Sequence, residues 1–270
     1  GLEVETYSPE TYLMPVDDIY ASEGLEQAFP PDLLTLLKYK DHYWGVPANI
    51  HRSNVLWYNK AVFEENGLTP PTTFEEFMQV ADALQAAGIQ PYVMGTKDGW
   101  EAGHIFEDVL AGSLTPEEYR GLWTGGFSWT DPKVTQALEN FKMMLSYANE
   151  DHPALTWDGA GEYLISGTGG MMIMGDWTDG WFTSKDFDGY GWAPPPGTQG
   201  ILVALSEYLQ SAAVDWSQDA IVPSVAHGAA AIESWATDYK DVLTIFLASG
   251  DVAAAQAGLQ QACVDAGVCQ

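Results

Sequence analysis

The chain has 270 residues, 46% of them hydrophobic and 13% aromatic. That is enough apolar material for one large core or two smaller ones, and too much for low-complexity disorder. Its 38 acidic against 10 basic residues give a net charge of −28, which argues against binding nucleic acid or an anionic membrane surface, since both need clustered Lys and Arg.

The acidity suits a solvated surface or a high-salt habitat, and no Asp-x-Asp-x-Asp-Gly loop points to calcium. No apolar run approaches the ~20 residues of a membrane span. Residues 2–7 alternate like a strand, 12–17 form a loop into a short helix near 18–22, and 32–39 have helical apolar spacing. Residues 43–46 and 55–58 read as extended, separated by Pro47 and the polar run 49–54. A helix over 60–66 ends at Gly67. Thr72-x-x-Glu75 then reads as a capping box, with Phe74, Phe77, Met78, Ala81 and Leu84 at helical spacing behind it. A short strand at 89–94 follows, and this alternation predicts an α/β domain.

Further on, 104–111 is helical, Thr115-Pro116-Glu117-Glu118 opens another helix, and Asp131-Pro132 caps a longer one. Residues 158–166 read as helix and 170–174 as a buried strand, with Gly175-Asp176-Trp177 at its carboxyl end, where open α/β sheets gather ligands. The Pro- and Gly-rich stretch 189–200 reads as a crossing loop. A long amphipathic helix over 230–247 and a last one capped by Asp251 complete the chain.

Five residues stand out by the company they keep: His51, Trp100, Trp157, Trp177 and His227 lie beside acids, amides and glycines, among them Asp176. An aromatic plate next to fixed donors and acceptors suits a sugar, whose C–H face lies on the ring while its hydroxyls are hydrogen-bonded. Trp44, Trp57, Trp123, Trp129, Trp181, Trp192, Trp216 and Trp235 are read as packing residues. The pairs Asp158/Glu162 and Asp176/Asp179 keep open a different class, a glycoside-processing enzyme, which needs two carboxyls about 5–10 Å apart around a sugar. A degenerate lobe that binds nothing is a third reading. No G-x-S-x-G, P-loop or H-E-x-x-H motif is present, and no two histidines share i,i+3 or i,i+4 spacing, so no catalytic residue, metal site or cofactor is assigned. Cys263 and Cys269 can close a disulfide if the last helix stops near Gly267; two free thiols are the alternative.

The string from Tyr43 to Lys60 (YWGVPANIHRSNVLWYNK) resembles the extracellular solute-binding proteins of carbohydrate ABC importers. Pro70–Phe77, Tyr119–Gly125, Leu155–Asp158, Met171–Trp177, Asp215–Ser217 and Val222–Ala231 carry the same resemblance, which is strongest to the glucose/galactose/mannose-binding branch. It implies a two-lobe α/β fold of the type II periplasmic-binding-protein kind that closes on a monosaccharide, with glucose first in expectation. It further implies that Trp157 and Trp177 sandwich the sugar, that His227 hydrogen-bonds it, and that Trp100, His51 and Asp176 lie at the cleft. The implied protein is a non-enzymatic monomer, extracellular or periplasmic, lipid-anchored before processing, and it delivers its ligand to the transmembrane subunits of a permease. Residues 1–53 and 178–205 match a fragmentary N-terminal lobe, while 54–177 and 206–270 match a largely complete C-terminal lobe. The segments that the resemblance expects after the first strand and near Leu205-Ser206 are missing from the chain.

Overall fold

A computed structural model describes residues 4, 7–47, 51–198, 220–227 and 230–270. Four short helices open the described chain: α1 (Pro9–Tyr12), α2 (Asp17–Glu23), α3 (Leu25–Ala28) and α4 (Pro31–Leu37). A hairpin follows, β1 (Lys38–Tyr39) against β2 (His42–Tyr43). Tyr20 of α2 stacks on Tyr43 with ring centroids 3.7 Å apart, and Asp17 accepts from the Tyr43 N–H at 3.0 Å, so the hairpin is pinned to α2. The strand expected at 2–7 falls mostly outside the described residues. Val4 and Tyr7, which are described, lie in tight 3-10 turns instead.

The main body is a four-stranded sheet in the order β4-β5-β3-β6. Its strands are β3 (Val55–Asn59), β4 (Gln90–Tyr92), β5 (Gly169–Met174) and β6 (Tyr190–Ala193). The pair β4/β5 is parallel, and β3 runs antiparallel to both β5 and β6. All six residues of β5 are buried, the pattern of a strand covered on both faces. Side chains alternate between faces, as the period of a strand requires. Val55, Trp57, Met172 and Met174 enter a smaller cluster with Leu164 and Phe182, while Leu56, Met171 and Ile173 enter the larger one. Each fully buried side chain of this size contributes about 1.5–3 kcal/mol.

The larger face is covered by α6 (Phe74–Ala86), α7 (Trp100–Ala111), α8 (Pro116–Thr124), α9 (Pro132–Leu145), α12 (Glu233–Ser249) and α13 (Val252–Asp265). The smaller face is covered by α10 (Trp157–Ile165) and α11 (Trp177–Ser184); α5 (Lys60–Glu65) follows β3 directly. The helix expected to open at Thr115-Pro116-Glu117-Glu118 does so through a capping box between Thr115 and Glu118, and Asp131 and Asp251 cap α9 and α13. The box expected at Thr72–Glu75 is displaced by one residue: Thr73 accepts from the Glu76 N–H, and the Glu76 carboxylate accepts from both groups of Thr72. Two threonines and two glutamates in succession make the registers equivalent by spacing. The helix chooses the one that buries Phe77, Val80, Ala81 and Leu84 and leaves Met78 exposed.

The stretch 189–200 is not wholly a crossing loop. Residues 190–193 are β6, whose register places Trp192 opposite Trp57, so part of the segment matched above to the N-terminal lobe stands in the same sheet as β3. Trp57, Trp129 and Trp235 are fully buried packing residues, as expected. Cys263 and Cys269 are bonded, with Cα atoms 5.2 Å apart; α13 stops at Asp265, and Gly267 turns the chain back with φ 72°. No helix of the described residues is long and apolar enough to cross a membrane.

Candidate functional site

The parallel strands β4 and β5 end on the same edge of the sheet, where antiparallel β3 begins. Three helices start at this edge, and each has a tryptophan as its first residue: Trp100 in α7, Trp157 in α10 and Trp177 in α11. Local sequence explains two of the starts. Thr156 caps α10 by accepting from the Gly159 N–H, and Gly99 takes φ 82°, which only glycine adopts without strain, to launch α7. The helix expected from His104 therefore begins four residues earlier, and α11 follows the Gly-Asp-Trp signal directly. A close approach sets the loops: a Cβ on Gly95 would lie 2.2 Å from the Thr156 carbonyl, and the Lys97 N–H donates to the Leu155 carbonyl at 3.0 Å. The turn after β4 is thus held against the turn before α10.

Trp177 is the centre of the cluster. Its ring lies 6.1 Å from Trp100, 6.5 Å from Trp157, 5.7 Å from His51, 5.4 Å from His227 and 5.7 Å from His104. It folds back over Gly175, where a Cβ would sit 2.2 Å from the indole. The structure therefore brings together His51, Trp100, Trp157, Trp177 and His227, all singled out in the sequence. Asp176 joins them through His51, whose Nδ1 donates to Oδ1 at 2.6 Å, while the Arg52 N–H donates to Oδ2 at 2.7 Å. The Asp176 side chain is 1% exposed, against 47% for His51. With both oxygens engaged inside the protein, Asp176 holds His51 in place instead of facing solvent.

Three participants carried no signal strong enough to single them out. His104 follows Trp100 by one helical turn, is wholly buried, and places Nδ1 3.1 Å from His227 Nε2. Trp181, read as a packing residue, lies on Gly161 and 5.7 Å from Trp157, extending the aromatic surface along α10 and α11. Glu101 is wholly buried at the head of α7, and its oxygens meet no donor in hydrogen-bonding geometry. Burial pushes its carboxyl up to about 7, against the pull of the backbone N–H groups there. Burial likewise pushes Glu107 up to about 7, although it accepts from Ser224 Oγ and from the Ala226 N–H. The apolar rings around His227, with Lys240 and His51 beside it, push its imidazole down to about 4, and burial drives His104 well below the ordinary histidine value.

Convergence of histidines does not make a metal centre: among the described residues no group of His, Cys, Asp or Glu has the arrangement to hold an ion. Of the acid pairs considered above, Glu162 is bound to Lys185 at 2.6 Å and Asp179 accepts from Tyr190. A hollow of about 270 Å³ beside His227 is lined by Tyr7, Ala226, Ala231, Glu233 and Lys240. A larger groove of about 620 Å³ lies at the amino end of β4, lined by Gln85, Gln90 and Tyr147 among others, away from the tryptophans.

Aromatic and hydrogen-bonding groups thus gather at the carboxyl ends of the parallel strands, the edge at which open α/β sheets generally take their ligands. The sequence profile of the bacterial extracellular solute-binding proteins matches residues 4–224, and the chain belongs to that family. An uncharacterized ABC transporter extracellular-binding protein of Pyrococcus horikoshii is 34% identical over 196 residues, which is 72% of this chain and 43% of that protein. A probable sugar-binding periplasmic protein of Rhizobium meliloti is 30% identical over 243 residues, 87% of this chain and 56% of that one. The chain thus spans about half the length of the curated relatives it matches. A solved chitin oligosaccharide binding protein superposes with a TM-score of 0.77 at 18% identity, covering 98% of this chain and 81% of that one, which shows a shared fold. These relatives are binding proteins, not enzymes, and the fold is that of the periplasmic-binding-protein class.

Proposed function

We propose that this chain is the sugar-capturing part of an ABC importer's solute-binding protein, working outside the cytoplasmic membrane as a monomer that is lipid-anchored before processing. The observation that carries the reading is the meeting of Trp100, Trp157 and Trp177 with His51 and His227 at one edge of the sheet. Indole faces suit the C–H face of a pyranose, and histidine nitrogens suit its hydroxyls. The name of the Rhizobium meliloti relative, a probable sugar-binding periplasmic protein, points the same way. The ligand is a monosaccharide, glucose before galactose and mannose. Trp157 and Trp177 are its plates, His227 and His51 bond its hydroxyls, Trp100 walls the site, and Asp176 orients His51.

In this reading residues 54–177 and 206–270 form the C-terminal lobe, with β6 completing its sheet, and the rest of 1–53 and 178–205 belongs to the N-terminal lobe. Closure of the lobes presents the loaded protein to the permease's transmembrane subunits.

Titration calorimetry with glucose, galactose and mannose tests the reading on the parent and on Trp177→Ala. Glucose should bind the parent tightest and be recovered chemically unchanged. Loss of a stacked ring should weaken binding by on the order of 1–3 kcal/mol, by analogy with bases on aromatic plates. Unchanged affinity in the variant removes the stacking role. A folded parent that takes none of the three sugars removes the monosaccharide reading and favours a lobe that binds nothing.

A further inference from the structure

His227 belongs to two surroundings. Its ring lies 5.4 Å from Trp177 and 5.6 Å from Trp100 in the aromatic cluster. It also walls the hollow of about 270 Å³, together with Ala226, Ala231 and one face of α12, where Glu233, Ala236 and Lys240 recur at helical spacing. The three alanines contribute only methyl groups, which keeps the space open. Tyr239 fixes this helix on α7 by donating to the Gly103 carbonyl at 3.0 Å. A Cβ on Gly103 would lie 3.5 Å from Lys240 Cγ, so the lysine stem crosses α7 about one turn from Trp100.

Lys240 differs from every other lysine of the chain. Lys38, Lys40, Lys133 and Lys185 are exposed and pair with glutamates. Lys60, Lys97 and Lys142 are exposed to water. Lys240 alone is half-buried, and among the described residues no carboxylate lies within ion-pairing distance of its ammonium. Glu107, one turn beyond Gly103 on α7, spends its oxygens on Ser224 Oγ and the Ala226 N–H. Glu233 is exposed and sits seven residues back along α12, about 10 Å away along the axis. In a chain with 38 acidic residues, one cation is thus withdrawn from water into a recess and left without an acid. Withdrawal without a partner costs free energy, which a ligand can recover. An ammonium has three donors and no acceptor, so the group it lacks is an acceptor, and a charged one makes the stronger bond.

We propose that the hollow is a second compartment of the ligand site, and that Lys240 makes it selective for a sugar bearing a negatively charged group, a carboxylate or a phosphate. The ring lies at the tryptophans, His227 stands at the boundary, and the charged substituent reaches past it to the ammonium. A surface of net charge −28 repels anions, so admitting one requires a local cation. That a sugar carries the charged group rests on the function proposed above; the unpartnered cation in the hollow does not.

The test is titration calorimetry of the full chain with glucose, glucuronate and glucose 6-phosphate, on the parent, Lys240→Met and Lys240→Arg. At least one acidic sugar should bind the parent about tenfold more tightly than glucose, the low end for a hydrogen bond to a charged group. Whether glucuronate or glucose 6-phosphate gains tells carboxylate from phosphate. The preference should shrink as salt rises from about 0.05 to about 0.5 M. Lys240→Met keeps the apolar stem and should bring the ratio of the two affinities close to one, whereas Lys240→Arg should retain most of it. A parent that binds glucose and gains nothing from either acidic sugar overturns the proposal and leaves the sugar reading standing. A preference that survives in Lys240→Met overturns it as well. Binding of an acidic sugar through Lys240 with no binding of the neutral hexoses supports the proposal and counts against the neutral monosaccharide. A parent that takes none of the three removes both.

Discussion

Removing the Asp176 carboxylate tests how the site is held together. Its Oδ2 accepts from the Arg52 N–H and its Oδ1 from His51 Nδ1, while the Asp176 N–H donates to the Arg52 carbonyl at 2.9 Å. The side chain thus ties the segment before β3 to the turn after β5. In Asp176→Ala both side-chain bonds go, and a buried backbone N–H at Arg52 loses its acceptor. A hydrogen bond to a charged group contributes about 1.5–3 kcal/mol, and a buried unsatisfied donor costs about 1–3 kcal/mol. Burial works in the other direction, since it pushes the Asp176 pKa up and makes the charge itself unfavourable. The net expectation is a loss of about 3 kcal/mol, or roughly 6–10 °C in Tm for a chain of this size. Asp176→Asn should lose about half as much, because its carbonyl still takes the Arg52 N–H and its NH2 can donate to the other tautomer of His51. Denaturant and thermal unfolding of both variants provide the measurement. An Ala variant as stable as the parent, or an Asn variant as damaged as Ala, refutes the tie.

Glu101 makes stability depend on pH. Its folded pKa is raised from 4.5 to about 7, so its stabilising contribution is complete below the unfolded value and is lost as pH rises through the folded one. Between pH ~5 and ~7 the parent should therefore lose up to about 1.4 kcal/mol per pH unit relative to Glu101→Gln, which does not titrate there; parallel unfolding curves would refute this. Gly175→Ala would place a Cβ 2.2 Å from the Trp177 ring, so near-ultraviolet dichroism should show a displaced indole, and an unchanged spectrum would count against the packing. The unreduced, unfolded chain should label no thiol, and Cys263→Ser with Cys269→Ser should lower stability by about 2 kcal/mol, the loop-closure value for so short a ring. One or more reactive thiols in the parent would reject the bond.

Much of the local structure was legible because its causes are local. Asp131, Thr115 and Asp251 cap helices from their own side chains, and the run ending at Met174 is apolar on both faces because β5 is covered on both. The residues proposed for the site were legible too, because indole or imidazole beside glycine and acid is a chemical signal that survives without a structure. Where spacing left alternatives equal, as at Thr72 and Thr73, only the packing of Phe77 and Leu84 selected the register. A turn-rich segment at 190–193 became a strand because β3 had an open edge to fill.

Composition and short-range pattern determined the α/β class, most helix starts and the chemical character of the site. Tertiary structure alone decided who meets whom: His51 reaches Asp176 across 125 residues, and His104 reaches His227 across 123. Those contacts follow from the strand order β4-β5-β3-β6 and from the way α7 packs over the sheet. That order is set by the mutual burial of surfaces far apart in the chain, and spacing along the chain does not record it.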